Sequence, residues 1–409
     1  MSKMGNISES TYRMKSASKT LLSPLHPKVL MVITDFAPGG AERQLVLLAT
    51  RLAARGWPLK VVSLMPPAPT AKDWLKALER AGVEVLSLDI RRKWQFLQAW
   101  WRLRRVIRAE QPQIVHAFMV HANLLSRFVR PFSEVPVVIC SIRSIHEGGR
   151  LREIIYRTTD PFCTLTTHVS REGVERYIHI GAVPPHKICY LPNGIDVKRF
   201  VLSPELRWQT RQMFGIKRSV FLWLAVGRLA PPKDYENLLQ AFAHLAPHEP
   251  SVRLFIAGEG SLREDLESLS RRLNLTGKVK FLGLRQDIPQ LMQAADAFVL
   301  SSAWEGMPNV LLEAAASGLP IVSTRVSGAS PIVLEGKSGY LVPPKNPQAL
   351  ATAMLRLMRL SPEQRRRMGV QGRRHVQDHF DLECIVDRWE GLYHALLNGK
   401  DFTNFCETL

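Results

Sequence analysis

No stretch of this chain approaches the roughly 20 consecutive apolar residues that a membrane-crossing helix needs. The longest strand-like runs, such as 220–226, end after a few positions. The first 27 residues are rich in Ser, Thr and Lys and lack the continuous apolar stretch and small-residue cleavage pattern of a secretory leader; they read as a mobile tail. Cysteine is scarce. Cys140, Cys163, Cys189, Cys384 and Cys406 are scattered and odd in number, which excludes a disulfide framework or a zinc site from the expectation and favours a reducing, cytoplasmic setting. No Asp-x-Asp pair occurs, so a carboxylate-held divalent cation is not indicated and neither metal nor cofactor is expected. A complete dinucleotide fingerprint is also lacking: Gly258-Glu259-Gly260 runs on to Arg263 where a third glycine would stand, which disfavours a dehydrogenase.

What remains is a 409-residue chain, 46% hydrophobic and 22% charged, too long for one ordinary core. The net charge of +19 is unevenly spread, with 30 Lys and Arg against 15 Asp and Glu in residues 1–200 and near balance after them. Such a field favours anionic partners: acidic lipid headgroups, a lipid pyrophosphate or nucleic acid. Short β-branched runs alternate with stretches of helical period, the pattern of parallel βαβ units. Candidate strands fall at 28–34, 59–65, 83–88, 113–118, 135–140, 163–169 and 188–191, then at 220–226, 252–257, 279–282, 297–301, 320–323 and 339–342. The same architecture therefore occurs twice, which gives an α/β fold of two Rossmann-like doubly wound domains facing across a cleft. The expected division is a tail at 1–27, an acceptor-binding domain at 28–200 and a donor-binding domain at 201–380. A helix at 381–409 is expected to pack back on the first domain, and the hinge is placed near 195–215, after Pro192-Asn193-Gly194-Ile195-Asp196.

Ligands of such sheets bind at the carboxyl ends of the strands, and the chemistry-bearing residues fall there. Arg228 and Lys233 follow the strand at 220–226; a guanidinium fork with an ammonium point charge is a sensible clamp for a diphosphate. Gly258 and Gly260 follow the next strand and permit close backbone approach to a ligand, although on their own a tight turn is the stronger reading. The most informative segment is Glu305-Gly306-Met307-Pro308-Asn309 leading to Glu313. Pro308 suits a first helical turn, whose free N–H groups would face the cleft. Glu313 lies just over one turn further and could accept hydrogen bonds from a vicinal diol such as that of ribose, while Glu305 could serve hexose hydroxyls.

These residues resemble glycosyltransferase family 4, the retaining group 1 glycosyltransferases of GT-B fold, and the resemblance runs from Lys28 to about Leu397. Gly39-Gly40-Ala41-Glu42-Arg43 looks like the family's first strand-to-helix loop, which approaches the donor phosphates. The resemblance implies that Arg228 and Lys233 hold the diphosphate, Glu313 the ribose and Glu305 the transferred sugar. It also implies transfer with retention of configuration from a nucleotide-diphosphate sugar, a UDP-sugar being favoured. The acceptor expected is a glycan, carried on lipid, in cell-surface polysaccharide or lipopolysaccharide biosynthesis. Two departures stand out: Pro331 replaces a usual glutamate in Ser327-Gly328-Ala329-Ser330-Pro331, and Arg143 occupies a position where many members place His, with His146 three residues on.

His116, Arg143 and His146 are the acceptor-side candidates, although a lone strand-end His such as His116 is more often structural. Between Arg91 and Arg108 seven basic residues accompany Trp94, Trp100 and Trp101. Helical spacing makes Phe96, Trp100, Leu103 and Ile107 a core stripe and leaves Trp94, Leu97 and Trp101 on another face beside Arg105 and Arg108. Indoles among arginines suit an anionic membrane interface, and a half-buried helix with a solvated basic face is the alternative. Two other functions compete: a GT-B sugar-nucleotide epimerase, and a nucleic-acid-binding module, which a pair of carboxylates in the cleft disfavours, so no nucleic-acid partner is expected.

Overall fold

The structure is a computed structural model that describes residues 26–37, 39–145, 147–200, 203–402 and 405. Seven parallel strands form the first sheet: β1 (Val29–Ile33), β2 (Leu59–Ser63), β3 (Glu84–Ser87), β4 (Ile114–Phe118), β5 (Val137–Ile142), β6 (Leu165–His168) and β7 (Ile188–Tyr190). Six form the second: β8 (Phe221–Val226), β9 (Val252–Ala257), β10 (Val279–Gly283), β11 (Ala297–Leu300), β12 (Ile321–Thr324) and β13 (Gly339–Val342). Strand orders are 3-2-1-4-5-6-7 and 10-9-8-11-12-13, both doubly wound. All thirteen expected strands are present. Most are buried on both faces, which is why they read as apolar runs instead of alternating ones. Each sheet has packed apolar clusters on its two faces, one sheet contributing Val29, Met31 and Ile139 to one face and Leu30, Val32 and Val138 to the other.

The chain passes between the domains twice. Ile195 pairs with Asp381 in an isolated parallel bridge, and Ile195 N–H donates to the Phe380 carbonyl while Leu382 N–H donates to Ile195. The segment expected as a polar hinge contains helix Pro204–Met213, pinned to the second domain by Arg207 and Arg211 on Asp296. Helix Leu382–Leu397 lies on the first domain. Ile385, Val386, Trp389 and Tyr393 join the cluster of Val29, Met31 and Leu45, and Arg55 reaches Glu383, Asp387 and Glu390. Cys140, Cys163 and Cys384 are free, whereas Cys189 is engaged in a disulfide, against the reading of the cysteines as unpaired.

Helix Phe96–Glu110 buries Ala99, Leu103 and Ile107. Phe96, expected in that stripe, is 44% exposed, a correction: the helix begins at Phe96, so its ring overhangs the end of the packed face and meets Phe128 edge-on. Trp94, Leu97 and Trp101 are 74%, 72% and 61% exposed, and Arg105 and Arg108 are exposed beside them. Among the described residues no helix is long and apolar enough to cross a membrane.

Candidate functional site

The strand order reverses between β1 and β4 in the first sheet and between β8 and β11 in the second, and the loops leaving those strands diverge to open a crevice. The Gly39-Gly40 turn follows β1, Arg143 follows β5, Arg228 and Lys233 follow β8, and Glu305 to Asn309 follow β11. Topology alone thus gathers most of the expected site residues on one rim of each domain.

The two rims touch. Asn309, first residue of helix Asn309–Ala316, donates from Nδ2 to the Gly40 carbonyl at 3.2 Å, and its Oδ1 accepts from Asn193 Nδ2 at 2.6 Å. Asn193 N–H also points at the Met307 sulfur, 3.2 Å away, and Gln44 exchanges hydrogen bonds with Gly194 at 2.9 and 3.0 Å. Ser327 Oγ donates to Ser170 Oγ at 2.6 Å, so the segment where the family's glutamate is replaced still meets the first domain. A Cβ on Gly306 would lie 2.2 Å from the Arg143 carbonyl oxygen. Gly306 is therefore glycine because a backbone from the facing domain lies against it.

Lys233 Nζ lies 2.5 Å from Glu305 Oε1, which also accepts from Ser302 Oγ at 2.8 Å. The Lys233 loop is fixed beneath by Ser301 Oγ donating to the Lys233 carbonyl and by Asp234, whose carboxylate caps helix Tyr235–Leu245. The Arg228 side chain is exposed and makes no hydrogen bond or ion pair with any described residue, which leaves a cation available at the rim. Glu313 is buried at 3% exposure and pairs with Arg43 of the facing domain. Burial lowers the Arg43 pKa to about 10, with the nearby Arg199 charge adding to it. These five groups thus resolve into two ion pairs, Lys233–Glu305 and Arg43–Glu313, with Arg228 outside them. Met307 and Pro308 are buried beneath the turn, and Pro308 precedes the helix as its cap residue. Among the described residues no three His, Cys, Asp or Glu side chains are grouped to hold a metal ion.

Other candidates are placed differently. His116 is fully buried, with Nδ1 2.7 Å from Tyr393 Oη and Nε2 2.8 Å from Ser141 Oγ. Burial pushes its pKa well below the usual value, so the ring is a neutral tie between β4 and helix Leu382–Leu397 and is removed from the acceptor-side candidates. His146 lies outside the described residues. Gly258 and Gly260 serve loop packing, the bland one of their two readings: Cβ atoms there would lie 2.0 Å from the Gly227 oxygen and 2.2 Å from the Leu229 oxygen.

Three participants escaped the sequence reading. Asn193 and Gln44 bridge the rims. Glu42, in the first turn of helix Gly40–Ala54, is buried under the Gly39 turn with its carboxyl raised to about 7 by burial, partly offset by its own backbone N–H and reinforced by neighbouring Asp35. The signal was the motif around Gly39 and Gly40, whose glutamate was quoted but given no role.

Two family models match the chain, one described as Glycosyltransferase Family 4 over residues 38–199 and one described as Glycosyl transferases group 1 over residues 207–375. The lipopolysaccharide core biosynthesis glycosyltransferase LpsE of Rhizobium meliloti (strain 1021) is 31% identical over 369 residues, which cover 88% of this chain and 98% of that protein. UDP-Gal:alpha-D-GlcNAc-diphosphoundecaprenol alpha-1,3-galactosyltransferase of Escherichia coli is 27% identical over 308 residues, 73% of this chain and 79% of that one. Among solved structures, HepE of Anabaena in complex with UDP-glucose superposes with a TM-score of 0.79 at 22% identity, over 91% of this chain and 100% of the other. At that identity the likeness speaks for the fold.

Proposed function

Because the chain belongs to the group 1 glycosyltransferases, family 4, and has their two-domain GT-B fold, we propose that it moves a hexose or N-acetylhexosamine from a UDP-sugar to a lipid-linked glycan. The pathway proposed is that of cell-surface polysaccharide or lipopolysaccharide. The observation that carries this reading is the meeting of the two rims at residues 306–309, with Glu305 and Glu313 on either side of that contact. Two relatives support the class of product: one is named for lipopolysaccharide core biosynthesis, the other for transfer from UDP-galactose to a diphosphoundecaprenol-linked sugar.

In this reading Arg228, Lys233 and the N-terminus of helix Asn309–Ala316 stabilise the departing diphosphate without a metal ion. The bond from the anomeric carbon to the diphosphate breaks as the bond to the acceptor oxygen forms on the same face, which retains configuration. The acceptor proton passes to the leaving phosphate oxygen. Glu313 must exchange Arg43 for the ribose diol, and Glu305 must share Lys233 with the sugar. The exposed Trp94, Leu97 and Trp101, flanked by Arg105 and Arg108, would rest on an anionic membrane face where a lipid-linked acceptor is found.

Thermal unfolding in the presence of a panel of nucleotide sugars tests the donor. A true donor at about 100 times its Kd raises stability by about 2.7 kcal/mol. The shift is expected with a UDP-sugar and is expected to vanish in Glu313→Ala and to shrink in Arg228→Ala. A panel without any shift, or one unchanged in both variants, ends the reading.

A further inference from the structure

Arg143 is a cation without a carboxylate. Its guanidinium donates to Asn193 Oδ1, the same residue whose amide holds Asn309, and its carbonyl lies against Gly306. Among the described residues no Asp or Glu is within ion-pair distance of it. Two acids flank it nonetheless, and both are engaged elsewhere. Glu42 is directed to Asp35 and the Gly39 turn, while Glu147 accepts from Tyr156 Oη at 2.9 Å and, at 3.4 Å, from the Arg143 backbone N–H. The charge environment is completed by His116 on β4 and His168 on β6, both buried and neutral, and by Arg152 and Arg127 beyond Glu147. A half-buried guanidinium with no carboxylate partner is suited to a polyanionic ligand.

We infer that Arg143 anchors a diphosphate subsite on the first-domain wall of the cleft, opposite the N-terminus of helix Asn309–Ala316, and that the engagement of Glu42 and Glu147 by other groups leaves its guanidinium for the ligand. The inference rests on the proposed transferase reading and deepens it, since two diphosphates belong to that reaction: the donor's and that of a lipid-linked acceptor. The burial that lowers the Arg143 pKa to about 10 also raises both acids to about 7, so near neutrality much of their charge is suppressed. As pH rises through that value Glu42 and Glu147 ionise, the local potential falls and a polyanion is held less well.

Calorimetric titration separates the sources. UDP is titrated into wild type, Arg143→Lys and Arg143→Gln, and a short-chain prenyl diphosphate is titrated into the same proteins already saturated with UDP. Loss of one charge-assisted contact predicts ~10- to 100-fold weaker binding by Arg143→Gln, with Arg143→Lys between it and wild type. Weakening in the UDP arm assigns the subsite to the donor; weakening confined to the prenyl arm assigns it to the acceptor. Both arms unaffected in a variant that melts as wild type does overturns the inference alone, whereas wild type that binds no nucleotide overturns the transferase reading with it. The phosphates titrate too, so the second readout is a difference: UDP affinity of Glu42→Gln relative to wild type should rise as pH increases through about 7. A constant ratio overturns the role of Glu42.

Discussion

At the scale of single residues, two glycines separate what closes the cleft from what holds a domain together. Gly306 meets the facing domain, so a methyl group there is relieved by a slight opening of the cleft; Gly258 meets the Gly227 carbonyl inside its own domain at a φ of +149°, where nothing can move apart. Gly306→Ala is therefore expected to melt near wild type yet lose ~100-fold in transfer rate, the cost of a misplacement of about 1 Å. Gly258→Ala is expected to lose ~1–3 kcal/mol of stability. Denaturant melts beside initial rates decide this, and equal loss of stability in both variants contradicts the assignment. The sequence made the donor-side residues legible because spacing within one loop and helix is local information. His116 and Glu42 were not legible in that way: the first is covered by Tyr393, 277 positions away, and the burial of the second depends on a turn folding over it.

Elements were easier to read than residues. Parallel strands buried on both faces leave continuous apolar runs, and each run ends where its loop must face water or ligand, which is why the strands other than the half-exposed β3 and β10 were plain in the sequence. Helices cut from polar sequence carry less signal; Pro204–Met213 hid in a stretch read as hinge because its anchoring is ionic, through Arg207 and Arg211 to Asp296. Helix Phe96–Glu110 and the short turn before it present the opposite case, a surface more apolar than solvent alone would favour. Trp94, Leu97 and Trp101 are all more than 60% exposed beside basic side chains. Co-sedimentation is expected with anionic liposomes and not with neutral ones, and Trp94→Ser/Trp101→Ser should cut it several-fold, as two interfacial indoles lost imply. Equal sedimentation of both proteins in both lipids removes the membrane role.

On the scale of the whole molecule, the buried titratable groups of the first domain oppose one another. His116 and His168 are neutral when folded, the first with its pKa well below 6.5 and the second at about 4, both chiefly from burial. An unfolded chain would protonate them, so their contribution is complete above the unfolded value and is lost as pH falls toward the folded ones. Glu42 and Glu147 are shifted the other way, from 4.5 to about 7, again by burial. The folded state keeps protons that the unfolded chain releases, so this contribution is complete below 4.5 and is lost as pH rises through about 7. Between about 5 and 6.5 the two effects offset, which places the melting temperature on a plateau there, with a decline on either side. For Glu42 the whole loss from 4.5 through about 7 is on the order of 3 kcal/mol, most of it offset within the plateau, so that roughly 1 kcal/mol, a degree or two for a chain of this size, falls on the alkaline limb. Thermal scans across pH should show Glu42→Gln tilting the plateau upward with pH and cutting the alkaline limb to the share of Glu147, with the acid limb in place, because the amide cannot ionise while both histidines and Glu147 remain. The same carboxyl that limits stability above neutrality is the one beside Arg143, so a reduced limb joined to a UDP affinity that rises relative to wild type as pH increases would trace fold stability and ligand binding to one proton.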